Sequence, residues 1–178
     1  MAKIVQPEKL QGRYVNLREV RVEDAEFILS LRTDEKKSKY LHKTDNDLAK
    51  QIRYIERYKS LNNEYYFIIE NKELLPLGTL RISNIKGTDF TAGSWLMIDN
   101  ATSEESIEGE YLLKRYAFEV LNLEKNYFDV RKGNKRVLNF HKMYGASVIN
   151  EDDENYYFEL TKENFLINSQ KFLKMIYQ

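Results

Sequence analysis

Apolar positions recur along this chain with two periods, and the switches between them mark out its elements. From Arg13 to Val20, Tyr14 or Val15 alternates with polar neighbours as in a half-buried strand. From Val22 to Arg32 the period lengthens, and Ala25, Ile28, Leu29 and Leu31 fall near one helical stripe. Thr44 or Asp45 can cap a second helix, in which Leu48, Ile52 and Ile55 recur at spacings of four and three. Three β-rich segments follow: Tyr65 to Asn71, Gly78 to Ile85 and Thr91 to Asp99. The turn signals between them, Asn71-Lys72 with Pro76 and then Lys86-Gly87, predict an antiparallel meander.

Helical spacing returns from Ser103 to Leu123 through Ile107, Leu113, Ala117 and Val120, behind an acidic first turn that complements the helix dipole. A strand over Asn126 to Arg131 then leads into the helix NKRVLNFHKMY. Val137, Leu138, Phe140 and Tyr144 form that helix's expected buried stripe, and Gly145 fits the left-handed position that ends it. Two aromatic strands around Ala146 to Leu160 form a hairpin over Asp152 and Asp153, and Thr161 caps a final helix carrying Phe165, Leu166, Phe172, Leu173 and Ile176. The order β α α β β β α β α β β α predicts an α+β domain spanning 1–178.

Composition removes whole classes of chemistry. The absence of cysteine excludes disulfides, a thiol nucleophile and a thiolate metal site, and two histidines leave little for zinc. Lysine plus arginine equals aspartate plus glutamate at 28 each, so there is no overall bias toward nucleic acid or an anionic membrane. The amino-terminal stretch has no apolar signal-peptide core, and no run approaches the ~20 apolar residues that span a bilayer. The expectation is a cytoplasmic protein, monomeric or homodimeric, without metal. Thirteen tyrosines and nine phenylalanines suit a packed core or stacking surfaces equally.

The element order, with a central helix between the fourth and fifth strands, resembles the GNAT family of acyl-CoA-dependent N-acyltransferases over about residues 10 to 160. NKRVLNFHKMYGA is similar to that family's N-x-x-A-x-x-L-Y-x-x-x-G-F segment, with Asn134, Val137, Phe140, Gly145 and Ala146 at matching positions. LLKRYAFEVLNLEKNYFDV resembles its central helix and fifth strand, and GRYVNLREVRVEDAEFILSLR resembles the opening of the branch with ribosomal-protein and amino-sugar acetyltransferases. The resemblance implies a mixed, mostly antiparallel sheet of about seven strands flanked by helices and splayed between strands four and five. It also implies direct attack of an amine on the thioester of acetyl-CoA, with strand-four amides, Trp95, Leu96 and Met97 among them, holding the pantetheine arm. Gly93 is the natural bulge residue there.

By the same resemblance the pyrophosphate lies at the central helix start, against Ser103, Ser106 and Ile107, with Asn134 beside the arm. The chain departs from the family's glycine signature, carrying Ala101, Glu104 and Ser106, and Glu104 with Glu105 should repel phosphate. The family's acid tyrosine falls on His141, with Tyr144 one turn away as the reserve acid. The alternatives are a partly exposed helix histidine and a core tyrosine.

Acceptor-side candidates are Arg18, Arg32, Arg81 and Trp95, with Tyr40, His42 and Asp99 more weakly indicated, since an arginine fork suits phosphate or carboxylate. The runs DEKKSK and NEDDEN read as solvated loops. The acceptor expected first is a small-molecule amine on a nucleotide-linked amino sugar of surface-polysaccharide synthesis. A peptide amino terminus, a polyamine and a GNAT-fold binding protein without turnover are the rivals.

Overall fold

A computed structural model describes residues 3–41 and 43–178, so the weak candidate His42 lies outside the described residues. In chain order the elements are β1 (Val15–Glu19), α1 (Ala25–Thr33), α2 (Glu35–Ser38), α3 (Leu48–Tyr58), β2 (Tyr65–Asn71), β3 (Pro76–Lys86) and β4 (Asp89–Met97). There follow α4 (Ser103–Arg115), β5 (Lys125–Arg131), α5 (Lys135–Met143), β6 (Ser147–Glu151), β7 (Asn155–Thr161) and α6 (Lys162–Ile176). The seven strands form one sheet in the order β1-β2-β3-β4-β5-β7-β6. Every neighbouring pair is antiparallel except β4 and β5, which α4 joins as a crossover. This is the expected mixed sheet with its central helix between the fourth and fifth strands.

Strand periodicity divides β2 between two cores. Phe67 and Ile69 pack on the face covered by α4, with Tyr111, Leu112 and Leu113, while Tyr66 and Ile68 pack on the face covered by α1 and α3, with Ile28, Ile55 and Tyr58. Near the other sheet edge, Tyr144 meets Phe172 of α6 at 4.5 Å between ring centroids and Phe165 at 5.9 Å. The aromatic load thus serves packing first.

Several local expectations are corrected. Asp47, rather than Thr44 or Asp45, caps α3 by accepting from the Lys50 amide. DEKKSK holds the single-turn α2, capped by Asp34, whose carboxylate accepts from the amides of Lys36 and Lys37. In α5 the fully buried positions are Leu138 and His141, followed by Tyr144, whereas Val137 and Phe140 are only half-buried. Gly145 has φ 98° and closes α5, and Thr161 caps α6 through the Asn164 amide.

Charge is also buried in α4, where Glu108, Glu110 and Lys114 are among its least exposed residues. Glu108 is a staple between α4 and the entry to β1: Oε1 accepts from the Arg13 amide (2.7 Å) and the Tyr177 hydroxyl (2.5 Å), and Oε2 from the amides of Tyr14 (2.7 Å) and Val15 (2.8 Å). Gly12 is required beside it, because a Cβ there would lie 2.5 Å from the Glu108 carboxyl carbon.

Candidate active site

The cleft begins where two neighbouring strands part. β4 and β5 pair only at Asp89↔Lys125 and Phe90↔Asn126, and beyond that point they diverge. The fully buried Asn126 turns its side chain across the gap and accepts from the Ala92 amide at 2.9 Å. A bulge breaks the β3–β4 register between Thr79 and Arg81, and the residue with the left-handed φ of 54° is Ser94 rather than the expected Gly93. The outer edge of β4 from Gly93 to Met97 therefore has no strand partner. Buried polar atoms without a hydrogen bond occur at this opening: Trp95 Nε1 and His141 Nδ1 on its walls, and Asn126 Nδ2 in the gap between the strands. Such atoms call for a specific explanation, and a ligand cleft supplies one.

The outer half of the cleft, about 380 Å³, runs between β4, the start of α4 and α5. Trp95, Met97, Ser103, Ser106 and Ile107 all line it, so five of the expected cofactor residues converge. Thr102 caps α4 by accepting from the Glu105 amide, and Glu105, expected to repel phosphate, turns back to accept from the Thr102 amide at 2.8 Å. The amides of Ser103 and Glu104 remain directed out of the helix start. Arg136, not anticipated from the sequence, brings positive charge to the same cleft, while Lys37 on its wall is paired with Asp34 and Asp99, which places Asp99 here rather than on the acceptor side. Donors, cations and the Trp95 and Phe140 faces fit a pyrophosphate with a pantetheine arm. Arg136→Ala is expected to raise the dissociation constant of acetyl-CoA about threefold to thirtyfold, more at low salt, as an exposed phosphate contact should. Titration calorimetry at two ionic strengths checks it.

The inner half, about 150 Å³, lies in the splay itself and shares Lys37, Trp95 and Val137 with the outer half. Leu96, Asn134, His141 and Glu110 line it. Asn134 occupies the N-cap position of α5, yet its side chain makes no capping bond, which leaves the amide available to a ligand. His141 is 7 % exposed and packs against Phe128, with ring centroids 4.4 Å apart. Burial, with a smaller contribution from the Lys114 charge, holds its imidazole well below the ordinary histidine value.

The expectation of an imidazole titrating near neutrality, or of a partly exposed one, is therefore corrected: His141 is buried and neutral. Protonating it on unfolding favours the unfolded chain, so it removes stability as pH falls below about 6.5. His141→Gln should flatten the acid limb of a stability-against-pH curve measured by urea unfolding.

Tyr144 is fully buried, stacks on Phe140 and is not part of the cavity wall. Burial, then the nearby Glu110 charge, raises its phenol well above the ordinary value. Lys114 Nζ lies 4.8 Å from the Tyr144 ring centroid.

The three arginines expected on the acceptor side separate. Arg18 forks onto Asp24 (2.7 Å) and Glu70 (2.8 Å) and stands apart from both halves of the cleft. Burial alone would raise the Asp24 carboxyl, but the Arg18 pair and the Arg21 amide outweigh it and hold it below the usual range. Arg32 and Arg81 instead share a separate pocket of about 230 Å³ with Lys50, Tyr54 and Tyr66. Arg32 donates to Thr44 Oγ1 (2.8 Å) and Arg81 to the Tyr54 hydroxyl (2.6 Å). The carboxylates on that wall are engaged, Asp45 with Lys50 and Asp47 in its cap. Arg81 stands directly opposite Gly93 in the β3–β4 register, and a Cβ on Gly93 would meet nothing within 4 Å. The arginine pocket and the splay cavity are thus neighbours across an open glycine. Tyr40, which donates to the Gly133 carbonyl at 3.1 Å, stands at the cavity mouth.

The GNAT acetyltransferase domain family matches residues 15–147. The chain belongs to the GNAT acetyltransferase family. As a GNAT N-acetyltransferase it is similar to acetyltransferase PseH of Campylobacter jejuni, with 22 % identity over 142 residues, covering 80 % of this chain and 88 % of that one. Among solved structures, apo FdhC, described as a nucleotide-linked sugar GNAT, matches at 34 % identity and TM-score 0.84, covering 94 % of this chain and 97 % of its own. The spermidine N-acetyltransferase of Vibrio cholerae, solved with CoA and spermine, shares the fold at 15 % identity and TM-score 0.79, over 85 % of this chain and 98 % of its own. No helix among the described residues is long and apolar enough to cross a membrane, and no cluster of three metal-ligating side chains occurs among them.

Proposed function

We propose that this acetyltransferase moves the acetyl group of acetyl-CoA onto the primary amine of a nucleotide-linked amino sugar. The observation that carries the reading is the pocket of Arg32 and Arg81 next to the splay cavity across Gly93. An acceptor with a diphosphate in the first and an amino sugar in the second would have its charge matched at one end and its nucleophile delivered at the other. The 34 % identity to a nucleotide-linked sugar GNAT supports the same class. A polyamine acceptor would want free carboxylates, and those of the arginine pocket are already engaged.

On the donor side, acetyl-CoA would lie with its phosphates at Ser103, Ser106, Ile107 and Arg136, its arm along Trp95, Leu96, Met97 and Asn134, and its sulfur near His141. There a neutral imidazole offers the departing sulfur a hydrogen bond rather than a full proton.

Binding of dTDP and UDP, which carry the diphosphate without an amine, tests the acceptor half. Calorimetry should show heat that weakens as salt rises and disappears in Arg32→Met/Arg81→Met. Silence toward both nucleotides at millimolar concentration, with heat from spermidine, would reverse the assignment.

A further inference from the structure

Resting on that acyl-transfer reading, we propose that Glu110 is the catalytic carboxylate that receives the attacking amine's proton, and that Lys114 is its positioning residue. Glu110 sits on α4, its side chain 3 % exposed, and it lines the splay cavity together with Ser94, Phe128 and His141. Lys114 Nζ donates to Oε1, while Oε2 accepts no hydrogen bond among the described residues. Lys114 itself is fully buried, 5.9 Å from the ring centroids of both Phe128 and Phe140. Such a pair is a poor device for stability, because apolar residues of equal volume generally serve as well or better. It is a good device for holding one carboxylate oxygen toward a cavity.

The placement agrees with the direction of the donor. Glu110 lies seven residues into α4 from Ser103, as His141 lies seven residues along α5 from Asn134, about two turns in each case. Both helices start at the cofactor end of the cleft, and both deliver their second-turn side chain to the splay. Lys114 faces Glu110 from its own helix, and His141 and Tyr144 face the pair from α5. Asp129 and Arg131 of β5, with Lys37 and Tyr40 from the α2 side, stand along the same cavity. Asp129 is exposed, so Glu110 is the carboxylate shielded from water.

The step balances. The amine nitrogen attacks the thioester carbon, a C–N bond forms, and the carbonyl π pair moves to oxygen. Glu110 Oε2 takes the N–H proton, the oxygen pair collapses, the C–S bond breaks, and sulfur departs with its pair. The carboxyl then returns the proton to the thiolate and ends ionised, leaving amide and free thiol. While Glu110 is protonated, the Lys114 charge has lost its counter-ion, and in a low-dielectric cavity it offsets the negative sulfur.

The test compares Glu110→Gln, Glu110→Asp and Glu110→Gln/Lys114→Met with the wild type, using the amine that releases most thiol. Glu110→Gln should lower kcat about hundredfold to ten-thousandfold, with acetyl-CoA affinity by calorimetry nearly unchanged. Glu110→Asp keeps a carboxylate and should recover at least tenfold over the glutamine variant. The double variant removes both charges together, so it should unfold near the wild-type temperature yet remain as inactive as Glu110→Gln and lack the acid limb of the rate profile. A double variant that turns over like the wild type with the same acid limb would overturn the proposal and leave the pair a packing feature. If the wild type acetylates no amine, the acyl-transfer reading itself falls.

Discussion

Glu108→Ala is expected to lower the unfolding free energy by about 3–5 kcal/mol, because its buried carboxylate serves four donors at once, through one buried and three half-buried hydrogen bonds, and has no substitute. Three consecutive amides, from Arg13, Tyr14 and Val15, and the Tyr177 hydroxyl all point at its two oxygens. Truncation leaves the fully buried Val15 amide unsatisfied at the first residue of β1 and removes the acceptor of the Tyr177 hydroxyl. At ~2–4 °C per kcal/mol for a chain of this size, the melting temperature should fall by about 6–20 °C. Glu108→Gln should be nearly as damaging, since its NH2 group would face amide donors where an acceptor is needed. A glutamine variant that melts within a degree of the wild type would show that packing, and not the carboxylate, holds the two ends together.

The second large effect concerns the acceptor. Arg32→Met/Arg81→Met should lower kcat/KM for a nucleotide-linked amino sugar about hundredfold to ten-thousandfold, the loss of two charge-assisted phosphate contacts. Its melting temperature should move little, because each arginine makes one neutral side-chain hydrogen bond. Arg18→Met is the contrast: it strips Asp24 and Glu70 of their shared cation and should destabilise the fold while sparing acceptor affinity in the folded fraction. Initial rates over a range of acceptor concentration, with thermal melts of the same preparations, separate the two patterns. Equal kcat/KM for the wild type and the double variant would place the diphosphate elsewhere.

The fold was legible because strand and helix periods alternate cleanly and the punctuation is strong. Gly145 and Thr161 end and begin their helices where the sequence places them. Elements whose cause is tertiary were not legible. The bulge of β4 centres its left-handed residue on Ser94, although Gly93 is the freer residue, because the strands part there and the register slips.

In α4, SEESIEGEYLLKR reads as a charged outer face around Ile107 and Leu113. Glu108, Glu110 and Lys114 are nevertheless inside: Glu108 is satisfied by β1 amides that only the folded chain brings near, and Glu110 and Lys114 pair one helical turn apart on α4 itself. Local pattern assigns charge to solvent, so nothing in the sequence marks Glu110 as an interior carboxylate. Within the candidate site, five residues expected from family resemblance to meet a cofactor, Trp95, Met97, Ser103, Ser106 and Ile107, line one cleft. The three acceptor arginines were indistinguishable by residue type, and pairing with Asp24 and Glu70 is what separates Arg18 from the other two.

The proposed acetyl transfer from acetyl-CoA to a nucleotide-linked amino sugar can be measured directly. The direct measurement is kcat/KM for free-thiol release by the purified chain, with a nucleotide-linked amino sugar, spermidine and a peptide amino terminus assayed side by side and each product weighed by mass spectrometry. The expected result is an N-acetylated sugar nucleotide, one thiol released per amide, and a preference over the other two acceptors of about a hundredfold or more, the scale of a paired charge recognised at the acceptor's far end. Turnover confined to spermidine or to the peptide, with the sugar nucleotide recovered unchanged, would contradict it.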